Sequence, residues 1–373
     1  MLHLIKTRDA ATRDRGAVTT LVAILLAGGV LFGMGALAID VGQLYAEREE
    51  LQSGADAAVM AVAKLCAETP EACAGDAFAT AERYADDNAK DDVSAVNVLC
   101  GTLPEGSLPA CPPPSGTLSA CLNDPPETPY VEVRTATELP DGSTLFPPTF
   151  AQLLLGNEGY QGTRVGACAR AAFGPPVPAG GLAVTISVCE WEAMTGGGET
   201  FPDAPPYPPN PTPPAGTDHP IKLHTTSDTS SCPAGPSGSD TPGGFGWLDD
   251  DGECQATIGG DGTVGGDPGV SGPTCADVLL AALDPLQVLY MPVYDAVEGT
   301  GSGTTYHIKG MAAFVLTGYS LPSIGREPSR LSGTHYCKGS DKCLYGFFTQ
   351  ALIPATGPIG GPDLGASIIT LVG

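Results

Sequence analysis

The sequence predicts an α+β protein in which a long N-terminal transmembrane/amphipathic helix is followed by a β-rich, disulfide-stapled exported region. Three observations carry this: an uncharged stretch of 23 residues near the N-terminus, twelve cysteines in a strongly acidic chain, and short β-branched runs broken by glycine and proline. The 373 residues hold 42 Asp and Glu against 17 Lys and Arg, a formal net charge of −25. That balance argues against nucleic acid as a partner, because phosphate binding needs cations to displace counterions. An even number of cysteines in such a chain points to an oxidising compartment.

The elements follow in order. Residues 1–16 form a basic segment with Lys6, Arg8, Arg13 and Arg15. Residues 17–39, AVTTLVAILLAGGVLFGMGALAI, carry no charge. As one helix they extend about 34 Å, enough for a hydrocarbon core of about 30 Å. The run exceeds a cleavable signal's apolar region and no Ala-x-Ala site follows, so it reads as an uncleaved signal anchor. Flanking positive charge places residues 1–16 in the cytoplasm and the bulk of the chain outside the plasma membrane, as a single-pass protein. Gly29 and Gly33 form a G-x-x-x-G pair suited to close helix packing in lipid.

Residues 40–195 read as an exported helical stalk and α+β unit. Val41, Leu44, Leu51, Ala55, Ala58, Val62 and Leu65 recur at steps of three and four, with Glu47, Glu49, Glu50, Gln52 and Asp56 on other faces. This is an amphipathic helix with a small-residue seam. The seam can dock a partner subunit or the chain's own domain; both readings are open. Pro70 ends that helix. A second helix is expected from Asp76 to about Lys90, then strands around Val131, 163–170 and 182–188. Residues 196–243 form a Pro/Gly-rich linker, with eight prolines in the 13 residues from Pro202 to Pro214; such runs favour extended polyproline II. Ile221–Thr226 reads as a strand bridging onward. Residues 244–373 read as a β-rich C-terminal domain, with strands at 288–293, 312–317 and 345–353 and a long glycine loop over 252–272.

Cysteine connectivity is not deducible from sequence, but short loops favour the pairs Cys66–Cys73 and Cys337–Cys343. Zinc is disfavoured, because no C-x-x-C occurs and no histidine sits at finger spacing. Asp249-Asp-Asp-Gly-Glu with Asp261 and Asp267 departs from an EF-hand and reads as an exposed acidic turn. No G-x-S-x-G, H-E-x-x-H or phosphate-loop motif occurs, and His224, His307 and His335 lack motif partners. The expectation is a protein without enzymatic activity, cofactor or metal.

One stretch carries a family resemblance. Arg15-Gly16, the apolar span ending at Asp40 and Gly42, Tyr45, then Leu51, Gln52, Ala55, Asp56, Ala57 and Ala58 resemble the N-terminal region of TadE/TadG-like proteins of the Flp-pilus (tight adherence, Tad) system. Segments around Cys189–Trp191, Gly243–Asp249, Tyr306–Tyr319 and Cys337–Pro354 resemble the exported half of actinobacterial members. Pilins of that apparatus are cut after a glycine, and the fifth mature residue is Glu. The corresponding bond here is Gly16–Ala17, and the fifth residue is Leu21, so the sequence is closer to the larger, anchored TadG type. The resemblance implies a membrane-anchored, exported structural or interaction protein that assists assembly or anchoring of Flp-type pili. Its partners would be other Tad components, or a second copy, through a helix face of Gly29, Gly33, Asp40, Leu44, Leu51, Ala55 and Ala58. The alternative is an anchored cell-adhesion or ligand-binding module unrelated to pilus assembly.

Overall fold

A computed structural model describes residues 11–27, 29–103, 106, 108–113, 119–150, 161–206, 212–223, 232, 245–267, 272–284, 286–299, 303–321, 323–354 and 357–372. Residues 1–10 of the basic segment, half of the Pro/Gly-rich stretch and His224 lie outside the described residues. The helices are α1 (Ala11–Ala27), α2 (Val30–Glu68), α3 (Pro70–Asp86), α4 (Val188–Thr195) and α5 (Gly272–Leu283).

The expected single helix over 17–39 is not observed. Gly29 takes a left-handed conformation, φ 70°, and separates α1 from α2. Among the described residues no helix is long and apolar enough to cross a membrane. The physical reason lies in Gly28-Gly29, because glycine weakens a helix interior and enters the left-handed region without a Cβ penalty. At the break the Gly29 amide donates to the Leu26 carbonyl at 3.1 Å, and the Gly29 carbonyl accepts from the Gly33 amide at 2.8 Å.

Beyond Asp40 the helical pattern becomes packing. Leu51, Ala55, Ala58, Val59, Val62, Ala63 and Cys66 of α2 are buried. Cys73, Ala77, Ala81 and Ala85 of α3, spaced every four residues, are buried as well. Small side chains let the two helices pack closely. The Cys66–Cys73 disulfide closes their turn, and Pro70 opens α3 at a position where a missing N–H is harmless.

The helix pair covers one face of a five-stranded sheet built from β1 (Ala95–Thr102), β2 (Tyr130–Ala136) and β3 (Gly166–Gly174), with β15 (Ala366–Leu371) and β14 (Ala351–Leu352) beyond, in the order β1-β2-β3-β15-β14. Strand alternation sends Val131, Val133, Ala169, Ala171 and Phe173 into the helix-facing core. The other face carries Glu132, Arg134 and Arg170. Parts of the β1–β2 connection lie over it, pinned by Cys100–Cys111 and Cys121–Cys168.

The second unit begins earlier than 244. It takes β4 (Gly180–Leu182) and β5 (Val184–Ser187) from before the proline-rich stretch. It adds β6 (His219–Lys222), β7 (Phe245–Trp247), β8 (Gln255–Thr257), β9 (Thr263–Gly265), β10 (Val288–Glu298), β11 (Thr305–Leu321), β12 (Gly325–Glu327) and β13 (Cys343–Thr349). The order β6-β13-β11-β10-β5-β7 closes on itself through a bridge between Leu223 and Phe245. Six strands therefore ring a core that includes Ile186, Phe245, Tyr294, Tyr306, Phe314 and Phe348. β8 pairs with β4, β9 and β12 pair with β11, and α5 is tied to the turn before β8 by Cys254–Cys275.

The two units interleave, so the linear division at 195 and 244 does not describe the pairing. β5 belongs to the ring, whereas the last strand, β15, pairs with β3 in the first sheet. A helix takes over at the end of the strand expected at 182–188: Ser187 caps α4 by accepting from the Cys189 amide, and left-handed Gly196 ends it. The glycine loop over 252–272 holds β8 and β9.

Candidate functional site

The helix face singled out in the sequence divides into three parts. In the upper part, residues 16–39, Val18, Leu21, Ile24, Met34 and Leu37 are each at least 60% exposed. Gly29 is exposed and Gly33 half-buried. Gly16 and Ala17 are exposed within α1, and the Gly16 carbonyl accepts from the Thr20 hydroxyl at 2.8 Å. A run of apolar side chains this long, uncovered by its own chain, is a surface that water disfavours.

The middle part is a latch. Asp40 is buried, and its carboxylate accepts from the Thr149 amide at 2.9 Å and from the Phe150 amide at 3.0 and 3.1 Å. One turn on, the Gln43 side-chain oxygen accepts from the Thr149 hydroxyl at 2.7 Å. Leu44 is half-buried and Tyr45 exposed. No local pattern points Asp40 to the loop at 149–150, because the partners lie 109 and 110 residues away.

In the lower part, Leu51, Ala55 and Ala58 are enclosed by the chain's own unit. The Leu51 carbonyl accepts from the buried Thr135 hydroxyl at 2.8 Å, and Ala55 and Ala58 lie in the core beneath β2 and β3. Between the two readings of the seam, these three positions follow the intramolecular one.

Beside this helix the first sheet holds a buried ion cluster. Arg170 donates to Glu132 from Nη2 at 2.5 Å and from Nε at 3.1 Å, and from Nη1 to the Asn123 carbonyl at 3.0 Å. Arg134 Nε donates to the other Glu132 oxygen at 2.7 Å. The Tyr130 ring lies 5.4 Å from the Arg170 guanidinium. Among the described residues, the His, Cys, Asp and Glu groups close enough to hold an ion are Glu132 with Cys100 and Cys111, and Glu132 with Cys121 and Cys168. All four sulfurs are in disulfides and Glu132 is held by two arginines, so this arrangement offers no thiolate to a metal.

The acidic turn is a local structure. Asp250 accepts from the Gly252 and Gln255 amides, and Asp261 from the Thr263 amide and hydroxyl. Desolvation alone lifts the Asp250 pKa, but the Thr274 hydroxyl and backbone amides outweigh it and the net shift is downward. His335 is exposed, and His307 lies 3.3 Å from Glu298. A cleft of about 710 Å³ opens between the α2–α3 turn and β14, with Phe173, Phe201, Pro205 and Leu352 among its apolar walls and Glu68, Asp203 and Asp363 at its rim.

The geometry defines a disulfide-stapled α+β protein whose long helix is enclosed at one end and bare at the other. Residues 16–65, spanning most of both helical segments, match the family model Tad, described as "Putative Flp pilus-assembly TadE/G-like". The similarity to the TadE/G-like family is confined to this segment. No curated protein and no solved structure matches the chain.

Proposed function

We propose that the protein is a membrane-anchored, exported structural component that assists assembly or anchoring of Flp-type pili. The observation that carries the reading is the coincidence of the 16–65 match with a helix whose apolar end is uncovered and whose other end is built into the exported units. In this reading residues 17–39 lie in the bilayer despite the break at Gly29. Hydrocarbon tolerates an interrupted helix where the freed backbone groups find partners, and the Gly29 amide and carbonyl both have them. The four basic residues before the run favour a cytoplasmic N-terminus. Contact with other Tad components, or with a second copy, falls to Gly29, Gly33 and the exposed apolar residues around them, because Leu51, Ala55 and Ala58 are occupied within the chain.

The test is a pair of variants in cells that make pili. Removing residues 11–39 releases the protein from carbonate-washed membranes and lowers pilus number. Gly29→Leu with Gly33→Leu keeps the protein in the membrane but abolishes its co-purification with other pilus components. Normal piliation in the deletion strain overturns the proposal.

A further inference from the structure

The latch at Asp40 places a second apolar element beside the bare helix. Residues 142–150, GSTLFPPTF, carry no charge. Leu145, Phe146 and Phe150 are half-buried, yet none belongs to a hydrophobic core formed among the described residues. Aromatic side chains normally bury into such cores, so two phenylalanines held outside them need a reason.

The segment is held firmly. The Leu139 amide donates to Ser143 at 2.9 Å, closing a turn. Phe146 and Thr163 exchange backbone hydrogen bonds at 2.8 and 3.1 Å. The Asp40 carboxylate and the Gln43 amide oxygen then fix Thr149 and Phe150 against α2. A buried carboxylate accepting backbone amides is a strong tie, because the charge strengthens each bond.

Its height along the helix supplies the meaning. Asp40 is the first charged residue after the run that ends at Ile39, so Phe150 is pinned where the apolar stretch stops. Exposed Tyr45 lies little more than one turn beyond. Aromatic rings concentrate at the boundary between hydrocarbon and headgroups, where an apolar body and a polar edge are both served.

We propose that the loop 145–150 is a membrane foot: Leu145, Phe146 and Phe150 rest in the headgroup–acyl boundary and, with Asp40 as the strut, fix how the exported units stand on the bilayer. This rests on the anchor reading above. The contact is apolar, so it takes neutral lipid and is insensitive to salt, unlike a polybasic patch.

The experiment uses the full chain in phosphatidylcholine vesicles containing lipid brominated either near the glycerol or near the chain ends. Phe150→Trp and, separately, Leu37→Trp are compared with the parent, whose Trp191 and Trp247 supply the background. The expected result is that the emission added by Phe150→Trp is lost with shallow bromines and retained with deep ones, in low and high salt alike. Adding Asp40→Ala restores that emission, whereas Leu37→Trp remains quenched throughout. If Leu37→Trp is quenched and Phe150→Trp is not, the foot is refuted while the anchor stands; if neither is quenched, both fail. Shielding of the new tryptophan only by another pilus protein also overturns the foot. Should Phe150→Trp fail to fold, Phe146→Trp reads the same contact.

Discussion

The buried ion cluster of the first sheet makes a quantitative demand. Glu132 and Arg170 have side chains 1% and 2% exposed, and Glu132 is shared with Arg134. Glu132→Gln keeps the shape and removes the charge. It leaves the Arg170 guanidinium under the β1–β2 connection with a neutral acceptor on one side and the Asn123 carbonyl on another. Breaking one partner of a buried pair costs about 3–5 kcal/mol. At about 1.4 kcal/mol per tenfold, amides that exchange by unfolding of this unit should exchange roughly 150- to 5,000-fold faster. Hydrogen exchange with mass spectrometry on β2 and β3 peptides of the full chain measures this, with peptides of the ring strands β10 and β11 as internal reference. The triple change Glu132→Leu, Arg134→Leu and Arg170→Met removes all three charges of the cluster and should recover most of the loss, because well-packed apolar side chains replace a buried ionic cluster at little penalty. Exchange in Glu132→Gln within about threefold of the parent, below the factor that 1 kcal/mol implies, refutes the reasoning.

Two further predictions concern the two units beyond Asp40. Cys121–Cys168 closes 47 residues and Cys337–Cys343 only 6, so the chain-entropy relation gives about 4 kcal/mol for the first and about 2 kcal/mol for the second. Paired alanine variants, followed by urea unfolding, should keep that order; the reverse order removes loop entropy as the explanation. Glu47 has its pKa raised chiefly by burial, with the Thr137 hydroxyl opposing and Glu50 and Asp91 adding to the rise. The folded unit therefore holds this proton more readily than the unfolded chain, and stability falls as pH climbs from the usual carboxylate range through the raised value. Glu47→Gln should accordingly raise the urea midpoint at neutral pH and leave it unchanged in acid; a rise in acid that is absent at neutral pH contradicts the assignment.

How much of this was legible in the sequence follows the range of the contacts. The three-and-four spacing from Leu51 to Val62 is local, and it marked the buried face of α2. The disulfides Cys66–Cys73 and Cys337–Cys343 close short loops that proximity alone suggests, whereas Cys189–Cys232 joins residues 43 apart across the proline-rich stretch. The caps of α4 were present as Ser187 and Gly196, but the β-branched run before them masked the change of period. The G-x-x-x-G motif assigns Gly29 to packing with Gly33, although the adjacent glycines at 28 and 29 are equally a place for a helix to break. Asp40 illustrates the limit most plainly. Its position just past an apolar run was visible, but the amides it holds come from a loop more than 100 residues downstream, which no periodicity can reveal.

The proline-rich stretch invites the picture of two units swinging on a tether, and the pairing argues against it. A tether joins bodies whose strands are their own. Here β5, from before the stretch, lies between β10 and β7 of the ring, while β15, from after it, lies beside β3. Separating the halves would expose the edges of both sheets. Even the start of the stretch is held, since the Thr349 hydroxyl donates to the Pro202 carbonyl at 2.7 Å. A protease site inserted at Asn210, in a chain also carrying Cys189→Ala and Cys232→Ala so that no disulfide spans the cut, tests this directly. After cleavage the two fragments should elute together under native conditions and part only in denaturant. Fragments that separate in buffer mean that the crossing strands do not hold the units, and the bare helix would then carry a jointed assembly in place of a braced one.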